Sequence, residues 1–236
     1  MSVESQYIGN ELELFSHAKN WKAYWGNKVV PFLGEHVLEV GAGLGTNTND
    51  LLSLKPSISQ WVCLEPDAKL SSKIHSNIDE KYHSKLSVET SYLADYKPDV
   101  KFDSILYIDV IEHIDNDASE INLAKTFLKE GGYLIILVPA HNFLFSDFDK
   151  AIGHFRRYNK KMLKTSVGDD LKLHRLLYMD AVGMCASMVN KLFLKQSYPT
   201  IKQIKFWDNY IVKTSIIGDP ILGHQLGKSL LGIWKK

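Results

Sequence analysis

Short apolar runs alternate along this chain with longer segments in which apolar residues recur every three or four positions. The short runs predict buried β-strands, whereas the three- to four-residue period predicts amphipathic helices. Five strands are predicted in this way, at residues 36–40, 61–64, 86–88, 104–108 and 133–138. The helices predicted between them lie at residues 46–54, 67–77 and 117–129. Because strands and helices alternate, the sequence predicts a mostly parallel sheet that is covered on both faces.

The two ends of the chain extend this pattern. Residues 11–32 are predicted as one helix, because their apolar side chains recur at intervals of three and four positions. Near the C-terminus two more strands are predicted, at residues 171–178 and 229–234. The segment between them, residues 179–227, is long enough to form an insertion. With these additions the predicted sheet has seven strands.

The helix predicted at residues 117–129 carries recognisable signals at both ends. Asp117 can cap its N-terminus, and Glu120 stands at the reciprocal position of a capping box. The pair Gly131-Gly132 follows its last turn, where glycine commonly ends a helix. This helix is therefore expected to begin at a capping box and to end before the two glycines.

Composition restricts the possible classes of protein. The 236 residues include 28 basic and 27 acidic side chains, with a formal net charge of +1, so no overall charge attracts nucleic acid. Only Cys63 and Cys185 are present, too few for a disulfide framework or a cysteine zinc cluster. No secretion signal or run of about 18 apolar residues is seen. A soluble protein in the reducing cytoplasm is expected.

The first predicted strand ends in a turn that contains three alternating glycines, Gly41, Gly43 and Gly45. Such a turn before a helix lets a nucleotide-like ligand approach the backbone. A dinucleotide fingerprint has its third glycine three positions after the second, where this chain has Thr46. Glu39 at the strand end suits a cationic ligand better than a pyrophosphate. The turn predicts an adenosine-bearing ligand, and the alternative is a turn that serves only tight packing.

The pattern of Glu39, Gly41, Gly43 and Gly45 resembles the E-x-G-x-G-x-G motif of the class I S-adenosylmethionine-dependent methyltransferases. The resemblance implies S-adenosylmethionine as the cofactor. It also implies a doubly wound, Rossmann-like α/β fold whose mostly parallel seven-stranded sheet has an antiparallel last strand and a helical insertion before it. One domain over residues 1–236 is expected. Its parts are an N-terminal helical cap (1–34), a cofactor-binding core (35–178), the insertion (179–227) and the last strand (228–236).

Further cofactor contacts are predicted at the ends of the next three strands. Glu65 lies 24 positions after Gly41 (65 − 41), close to the offset of about 20 residues at which a carboxylate meets ribose hydroxyls; otherwise it is a solvated acid. By the resemblance, Tyr92 and Leu93 face the adenine, although Tyr92 stands where the family usually has an acid. The resemblance also places Asp109 near the amino group of the cofactor or near the substrate.

The loop after the fifth predicted strand is dense in functional side chains. Residues 153–158 read Gly-His-Phe-Arg-Arg-Tyr, which resembles the G-H-[FY]-R-R-Y loop of a bacterial methyltransferase subgroup associated with glycan, lipid or secondary-metabolite assembly. Since imidazole titrates near neutrality, His141 and His154 are the candidate bases for a hydroxyl acceptor. The predicted substrate contacts are His113, Arg156, Arg157 and Tyr158.

Each of these assignments has a structural alternative. A lone loop histidine is more often structural than catalytic, and His113 can form a hydrogen bond at the start of a helix without touching a ligand. One arginine can pair with Asp147 or Asp149 and hold the loop closed. His141, Asp147, Asp149 and His154 are also metal-ligating residue types, but their spacing matches no compact metal motif. Because methyl transfer requires no metal, none is expected.

The function predicted from the sequence is methyl transfer to a small-molecule or to a glycan- or lipid-linked acceptor. Oxygen is the preferred acceptor atom, because the nearby histidines can serve as bases. Apolar stretches in the insertion allow core packing, a dimer contact or peripheral contact with a lipid surface. The alternatives are an RNA methyltransferase, a nicotinamide-dependent oxidoreductase and a noncatalytic cofactor-binding module.

Overall fold

The computed structural model, which describes residues 11–191 and 198–236, contains a seven-stranded sheet. In chain order the strands are β1 (His36–Val40), β2 (Gln60–Leu64), β3 (Leu86–Glu89), β4 (Phe102–Ile108), β5 (Leu128–Pro139), β6 (Lys172–Met179) and β7 (Ser229–Lys235). Their spatial order is β3-β2-β1-β4-β5-β7-β6. Pairing from β3 to β5 is parallel, whereas β7 is antiparallel to both β5 and β6. The predicted doubly wound sheet is confirmed.

Helices connect the strands and cover the sheet. In the described residues they are α1 (Glu11–Ser16), α2 (Lys19–Val29), α3 (Thr46–Leu54), α4 (Ala68–Asn77), α5 (Asp117–Phe127), α6 (Asp147–Ala151), α7 (Lys160–Val167), α8 (Ala181–Val189), α9 (Ile201–Phe206) and α10 (Lys213–Ile221). A π-helical segment, Trp207–Val212, joins α9 to α10. A 3₁₀ turn, Ile111–His113, follows β4.

Alternate residues of the central strands enter two cores, one on each face of the sheet. Val37 of β1 pairs with Trp61 of β2, and both belong to the core that contains Trp25 of α2. The next pair along the same strands, Leu38 and Val62, belongs to the opposite core. Each fully buried side chain of this kind contributes roughly 1.5–3 kcal/mol. The register of the sheet is therefore strongly determined, since a slip of one residue would exchange the two cores.

The predicted N-terminal helix is divided in two. α1 ends at Ser16 and α2 begins at Lys19, and Ala18 between them has non-helical backbone angles (φ −83°, ψ 62°). The first turn of α2 has a distant partner, because the Asp208 carboxylate accepts a hydrogen bond from Trp21 N at 2.8 Å. A carboxylate at a helix N-terminus satisfies unpaired N–H donors and interacts favourably with the helix dipole. The single helix predicted over residues 11–32 was wrong at this point.

The start of α5 differs from its prediction. The helix begins at Asp117, but its cap is Asn116, whose side chain accepts a hydrogen bond from a backbone N–H of the first turn. Glu120 does not complete a capping box. Its carboxylate accepts a hydrogen bond from the Tyr107 hydroxyl at 3.2 Å, so tertiary contact takes precedence over local capping.

The end of α5 also differs from its prediction. The helix ends at Phe127, and β5 begins at the next residue, Leu128. Leu128 is fully buried and pairs with Phe102 of β4, which explains the early change from helix to strand. Gly131 and Gly132 therefore lie within β5 and do not end the helix.

Three buried aspartates attach the helices before β7 to the rest of the fold. Asp208 binds the start of α2 as described above. Asp219 accepts hydrogen bonds from the Tyr24 hydroxyl at 2.9 Å and from Asp180 N at 2.7 Å. Asp180 accepts a hydrogen bond from Trp207 Nε1 at 2.7 Å. The predicted insertion thus packs on the N-terminal helices through satisfied polar contacts.

Residues 1–10 of the predicted cap and 192–197 of the predicted insertion lie outside the described residues. Among the helices that the structure describes, none has both the length and the apolar character needed to cross a bilayer.

Candidate cofactor and acceptor site

The glycine turn after β1 has the backbone geometry that its sequence predicts. Gly41, Gly43 and Gly45 all have positive φ angles, of 71°, 57° and 74°. A side chain at Gly41 would place its Cβ 2.6 Å from Val110 Cγ2, and one at Gly45 would lie 2.9 Å from Ile74 Cγ2. Larger residues are excluded at these positions both by backbone strain and by space. The turn therefore presents bare backbone at the carboxyl edge of the sheet.

Glu65 connects the end of β2 to the glycine turn. Its buried carboxylate accepts hydrogen bonds from Gly43 N at 2.7 Å and from Asp67 N at 3.0 Å. Burial raises the pKa of Glu65, although these two N–H donors favour the charged form. Because a carboxylate has about four acceptor positions, each oxygen can still accept a hydrogen bond from a hydroxyl. This is the arrangement that the predicted ribose contact requires.

Glu39 lies under the turn. It is buried, and its carboxylate accepts hydrogen bonds from the Thr48 hydroxyl and from Trp61 Nε1, the latter at 3.1 Å. Burial raises its pKa to about 7, and the nearby Lys22 opposes this rise. Glu39 thus joins the end of β1 to the start of α3. The structure assigns these bonds to shaping the turn, and the predicted contact between Glu39 and the cofactor stays a prediction.

Helix α1 covers the turn from outside. A Cβ atom added at Gly43 would lie 3.2 Å from Leu12 Cδ1. Leu12 of α1 therefore lies near the glycine turn, and a cap over the cofactor stays a prediction.

The two residues predicted to face adenine differ in exposure. Tyr92 is 57% exposed, whereas Leu93 is buried in one of the two cores. Both lie in the turn after β3, in which Asp95 N donates to Tyr92 O at 3.1 Å. The Tyr92 ring is thus available at the surface, and its contact with adenine stays a prediction.

Asp109 follows β4 and has an uncommon backbone conformation, with φ of +54°. Its N–H donates to Leu137 O of β5 at 2.8 Å, which fixes this conformation. The side chain is exposed, but surrounding protein desolvates it enough to raise its pKa to about 6, an effect that His154 and Lys228 oppose. A non-glycine residue held at positive φ is a recurrent feature of functional sites. The contact of Asp109 with the cofactor or the acceptor stays a prediction.

Lys228 is a charged residue of this edge that the sequence analysis missed. It immediately precedes β7, and because β7 is antiparallel, the start of β7 lies at the carboxyl ends of the parallel strands. Lys228 Nζ lies 3.6 Å from Asp180 Oδ2 and 3.9 Å from the centre of the Trp207 ring. Burial lowers its pKa. The sequence analysis could have found Lys228, because an antiparallel last strand places the residue before it at this edge.

His141, the favoured base, lies directly after the end of β5 and its single-residue extension, Ala140. Its backbone has φ of +66°, and its N–H donates to Tyr158 O at 2.7 Å. The ring stacks on Tyr178 with 4.6 Å between ring centres. Nε2 is buried and has no hydrogen-bond partner in the part of the chain that is described. Burial lowers the pKa of His141, which favours the neutral ring that a base requires.

The arginines of the loop have internal partners. Arg157 binds Asp149 through two hydrogen bonds, Nε to Oδ1 at 2.8 Å and Nη2 to Oδ2 at 3.0 Å. Arg156 donates to Ile114 O at 3.1 Å and to Asp115 O at 2.7 Å. Arg157 therefore adopts the structural alternative, in which an arginine pairs with Asp149 and holds the loop.

Tyr158 is fully buried, and its hydroxyl donates to Asp117 Oδ2 at 2.7 Å. In this arrangement Tyr158 joins the loop to the start of α5 and has no surface on which to meet a substrate. Its predicted role in substrate binding has no test here, and it would require this bond to break.

His154 and His113 lie together beside a buried carboxylate. Their ring centres are 4.5 Å apart, and His154 Nδ1 lies 2.9 Å from Asp149 Oδ1. Burial lowers the pKa of His113 to about 4, although hydrogen bonding to the backbone of Gly153 and Ile152 opposes this change. The adjacent Glu112 is fully buried, which raises its pKa well above the ordinary range. This cluster gives one predicted base, His154, a carboxylate partner, Asp149.

Comparison with known proteins supports the family. A family model described as a methyltransferase domain matches residues 16–193, well over half of the chain. The mitochondrial ubiquinone biosynthesis O-methyltransferase of Dictyostelium discoideum is 26% identical over 147 residues, which are 59% of this chain and 44% of that protein. The ubiquinone biosynthesis O-methyltransferase of Glaesserella parasuis is 32% identical over 117 residues, covering 48% and 49%. The match spans about half the length of these relatives.

Solved structures share the fold at low identity. The N-methyltransferase NodS of Bradyrhizobium japonicum, in complex with S-adenosyl-L-homocysteine, has a TM-score of 0.57 at 12% identity and covers 98% of this chain and 91% of its own. Coclaurine N-methyltransferase has a TM-score of 0.64 at 12% identity, with coverage of 93% and 72%. Because the family model spans most of the chain and the sheet is of the expected type, the chain belongs to the methyltransferase-domain family.

Proposed function

We propose that the protein transfers the methyl group of S-adenosylmethionine to a hydroxyl oxygen of a small-molecule or of a glycan- or lipid-linked acceptor. The observation that carries the choice of oxygen is the Nε2 atom of His141, which has no hydrogen-bond partner among the described residues. This atom is buried, so an acceptor hydroxyl reaches it only if neighbouring side chains move. A neutral imidazole nitrogen there can accept the proton that a hydroxyl loses. The names of the two curated relatives, both O-methyltransferases, agree with this choice.

In the cofactor half of the site, the glycine turn receives the cofactor and Glu65 accepts hydrogen bonds from its ribose. Support comes from the two N–H donors that orient the Glu65 carboxylate and from the positive φ angles of the turn. Tyr92 and Leu93 contact the adenine, and Asp109 binds the amino group of the methionine part. Glu39 contributes negative charge below the turn, which favours a sulfonium ligand.

In the acceptor half, methyl transfer is an in-line displacement. The acceptor oxygen attacks the methyl carbon from about 3 Å while the bond from that carbon to sulfur breaks. S-Adenosylhomocysteine leaves, and His141 takes the hydroxyl proton. The protein contributes mainly position, since the reaction needs no covalent intermediate.

The other predicted acceptor-side residues have weaker support. His154 is a second candidate base, and His113, Arg156, Arg157 and Tyr158 are candidate acceptor contacts. All have internal partners in the fold, so an acceptor would have to displace one of them. The sequence of this loop, with its likeness to a subgroup associated with glycan and lipid assembly, supports a linked acceptor.

An acceptor screen tests the proposal. The protein is incubated with S-adenosylmethionine labelled in its methyl group and with panels of phenols, sugars, lipid-linked glycans, amines and RNA. We expect label in a hydroxyl-bearing compound, as a methyl ether that hydriodic acid cleaves to labelled methyl iodide. Label found only on nitrogen would reject O-methylation, and label found only in RNA would reject a small-molecule or linked acceptor. Binding of S-adenosylhomocysteine without transfer to any panel would favour a noncatalytic module.

A further inference from the structure

Glu112 is the least satisfied polar side chain among the described residues. It is fully buried, and neither carboxylate oxygen has a hydrogen-bond partner. Buried carboxylates in proteins are normally paired, hydrogen-bonded or bound to a metal, because an isolated one is costly to desolvate. Glu112 is therefore either protonated or compensated by a neighbouring cation.

Two histidines face this carboxylate. His154 Nε2 lies 3.8 Å from Glu112 Oε1, too far for a hydrogen bond. The His113 ring packs edge to face on the His154 ring, with 4.5 Å between ring centres. One ligand atom from each of the three residues lies within 4.8 Å of the other two. Three metal-ligating side chains of two types thus converge on a small volume.

Both histidines also have other partners within the fold. His154 Nδ1 lies 2.9 Å from Asp149 Oδ1, and Asp149 is itself bound by Arg157 at 2.8 Å. The His113 ring bonds to the backbone of Gly153 and Ile152. Metal-ligating histidines almost always donate their other ring N–H to a carboxylate or to a backbone carbonyl, which fixes the tautomer and the direction of the ligating nitrogen.

We propose that Glu112, His113 and His154 bind a divalent transition-metal cation. Zn–N and Zn–O distances of about 2.0–2.2 Å place the ligand atoms of a tetrahedral ion about 3.4 Å apart, so the 3.8 Å between His154 Nε2 and Glu112 Oε1 needs only a small contraction. Two imidazoles and one carboxylate suit Zn²⁺, Fe²⁺, Mn²⁺ or Co²⁺ rather than Mg²⁺ or Ca²⁺.

This proposal differs from the expectation drawn from the sequence. The set considered there was His141, Asp147, Asp149 and His154, whose spacing matches no metal motif. In the structure Asp149 and His154 bond to each other through His154 Nδ1, and His141 lies against Tyr178. Glu112 and His113 take part because the 3₁₀ turn after β4 carries them to the loop after β5.

An ion at this cluster would lie beside the predicted acceptor site. Asp109 interacts electrostatically with both Glu112 and His154, and its own side chain is exposed at the carboxyl edge of the sheet. Coordination positions that the three ligands leave open can be filled by water or by an acceptor oxygen.

Calorimetric titration with ZnCl₂ and MnCl₂ tests the site. The full chain is first stripped of metal with a chelator and then dialysed. We expect one equivalent to bind, and Co²⁺ to give the visible absorption of an ion held by nitrogen and oxygen ligands. Two variants remove a proposed ligand: Glu112→Gln, which is isosteric, and His154→Ala, which deletes the ring. Each should weaken metal binding at least about 10-fold. Bound metal should raise the Tm of the wild type but not of these variants.

A matched control is the histidine pair His75 and His83, whose ring centres are 5.2 Å apart in the same edge-to-face geometry at the surface. The double change His75→Ala and His83→Ala should leave the metal titration unaltered. Absence of a stoichiometric ion in the wild type would overturn the proposal. Binding that survives Glu112→Gln and His154→Ala would overturn it equally. Titration of the metal-free protein with S-adenosylhomocysteine tests the cofactor assignment independently. Normal binding in that titration would show that a failure of the metal proposal does not affect the proposed function.

Discussion

Two regions at the same edge of the sheet are built in different ways. The glycine-turn region, residues 39–67, depends on backbone conformation and on carboxylates that accept backbone N–H bonds within 30 positions of sequence. The acceptor region, residues 109–117 and 139–158, is held by side-chain bonds that join distant segments, such as Tyr158 to Asp117 across 41 positions. The comparison teaches that the predicted cofactor site is encoded locally, whereas the predicted acceptor site forms only in the folded chain.

The largest expected effect concerns the glycine-turn region. Gly43→Val should abolish detectable binding of S-adenosylhomocysteine, because it forces a branched residue to φ of +57° and places Cβ 3.2 Å from Leu12. The matched control is Gly223→Val, at φ of +58° with open space around it. Calorimetry should find normal affinity in the control. Equal loss in both variants would mean that strain alone, and not the position of the ligand, explains the result.

The next effect concerns the acceptor region. His141→Ala should lower turnover by about 10²- to 10⁴-fold, since it removes the proposed base. Affinity for S-adenosylhomocysteine should stay unchanged, which would separate the two regions experimentally. His224→Ala is the control, because His224 also has a positive φ, of 54°, and also contacts Tyr178. Normal turnover of His141→Ala, once an acceptor is known, would remove His141 from the mechanism.

A pH effect on stability sharpens the description of the glycine-turn region. The pKa of Glu39 is raised from 4.5 to about 7 in the folded chain, so between these values the native state binds more protons than the unfolded state. Stability of the wild type should therefore fall as pH rises through this window, by at most about 3 kcal/mol.

Glu39→Gln should lack this decline, because an amide does not titrate. Urea unfolding at pH 5 and at pH 8 measures the effect, with the exposed Glu89→Gln as the control. The difference in unfolding free energy between wild type and Glu39→Gln should change between pH 5 and pH 8. A constant difference would contradict a raised pKa of Glu39 in the folded chain.

The smallest effect expected is that of Glu65→Gln. The amide keeps one acceptor oxygen but loses the charge that strengthens hydrogen bonds from Gly43 N and from ribose hydroxyls. Affinity for S-adenosylhomocysteine should fall about 10-fold, corresponding to roughly 1.4 kcal/mol. Affinity for decarboxylated or amino-modified analogues should fall by the same factor, because these differ at the other end of the ligand. A loss confined to the natural ligand would place Glu65 elsewhere.

The sequence predicted the glycine-turn region well because its determinants are local. β1 and α3 have the predicted bounds, His36–Val40 and Thr46–Leu54, since apolar period and glycine spacing both act over a few residues. Glu65 was identified by its distance along the chain from the turn.

The acceptor region was predicted only in part. Residue types in the loop were noted, but the choice of Asp149 as the partner of Arg157 depends on how the loop folds. Lys228 was missed because its position follows from the antiparallel direction of β7. No sequence pattern indicates that both carboxylate oxygens of Glu112 are buried and unpaired.

The central claim is that the glycine turn and Glu65 bind an adenosine ligand with a sulfur centre. Calorimetric titration of the wild-type chain with S-adenosylhomocysteine and, separately, with NADH tests it most directly. The account predicts one equivalent of S-adenosylhomocysteine bound per chain and no heat from NADH. Saturable binding of NADH with none of S-adenosylhomocysteine would contradict it.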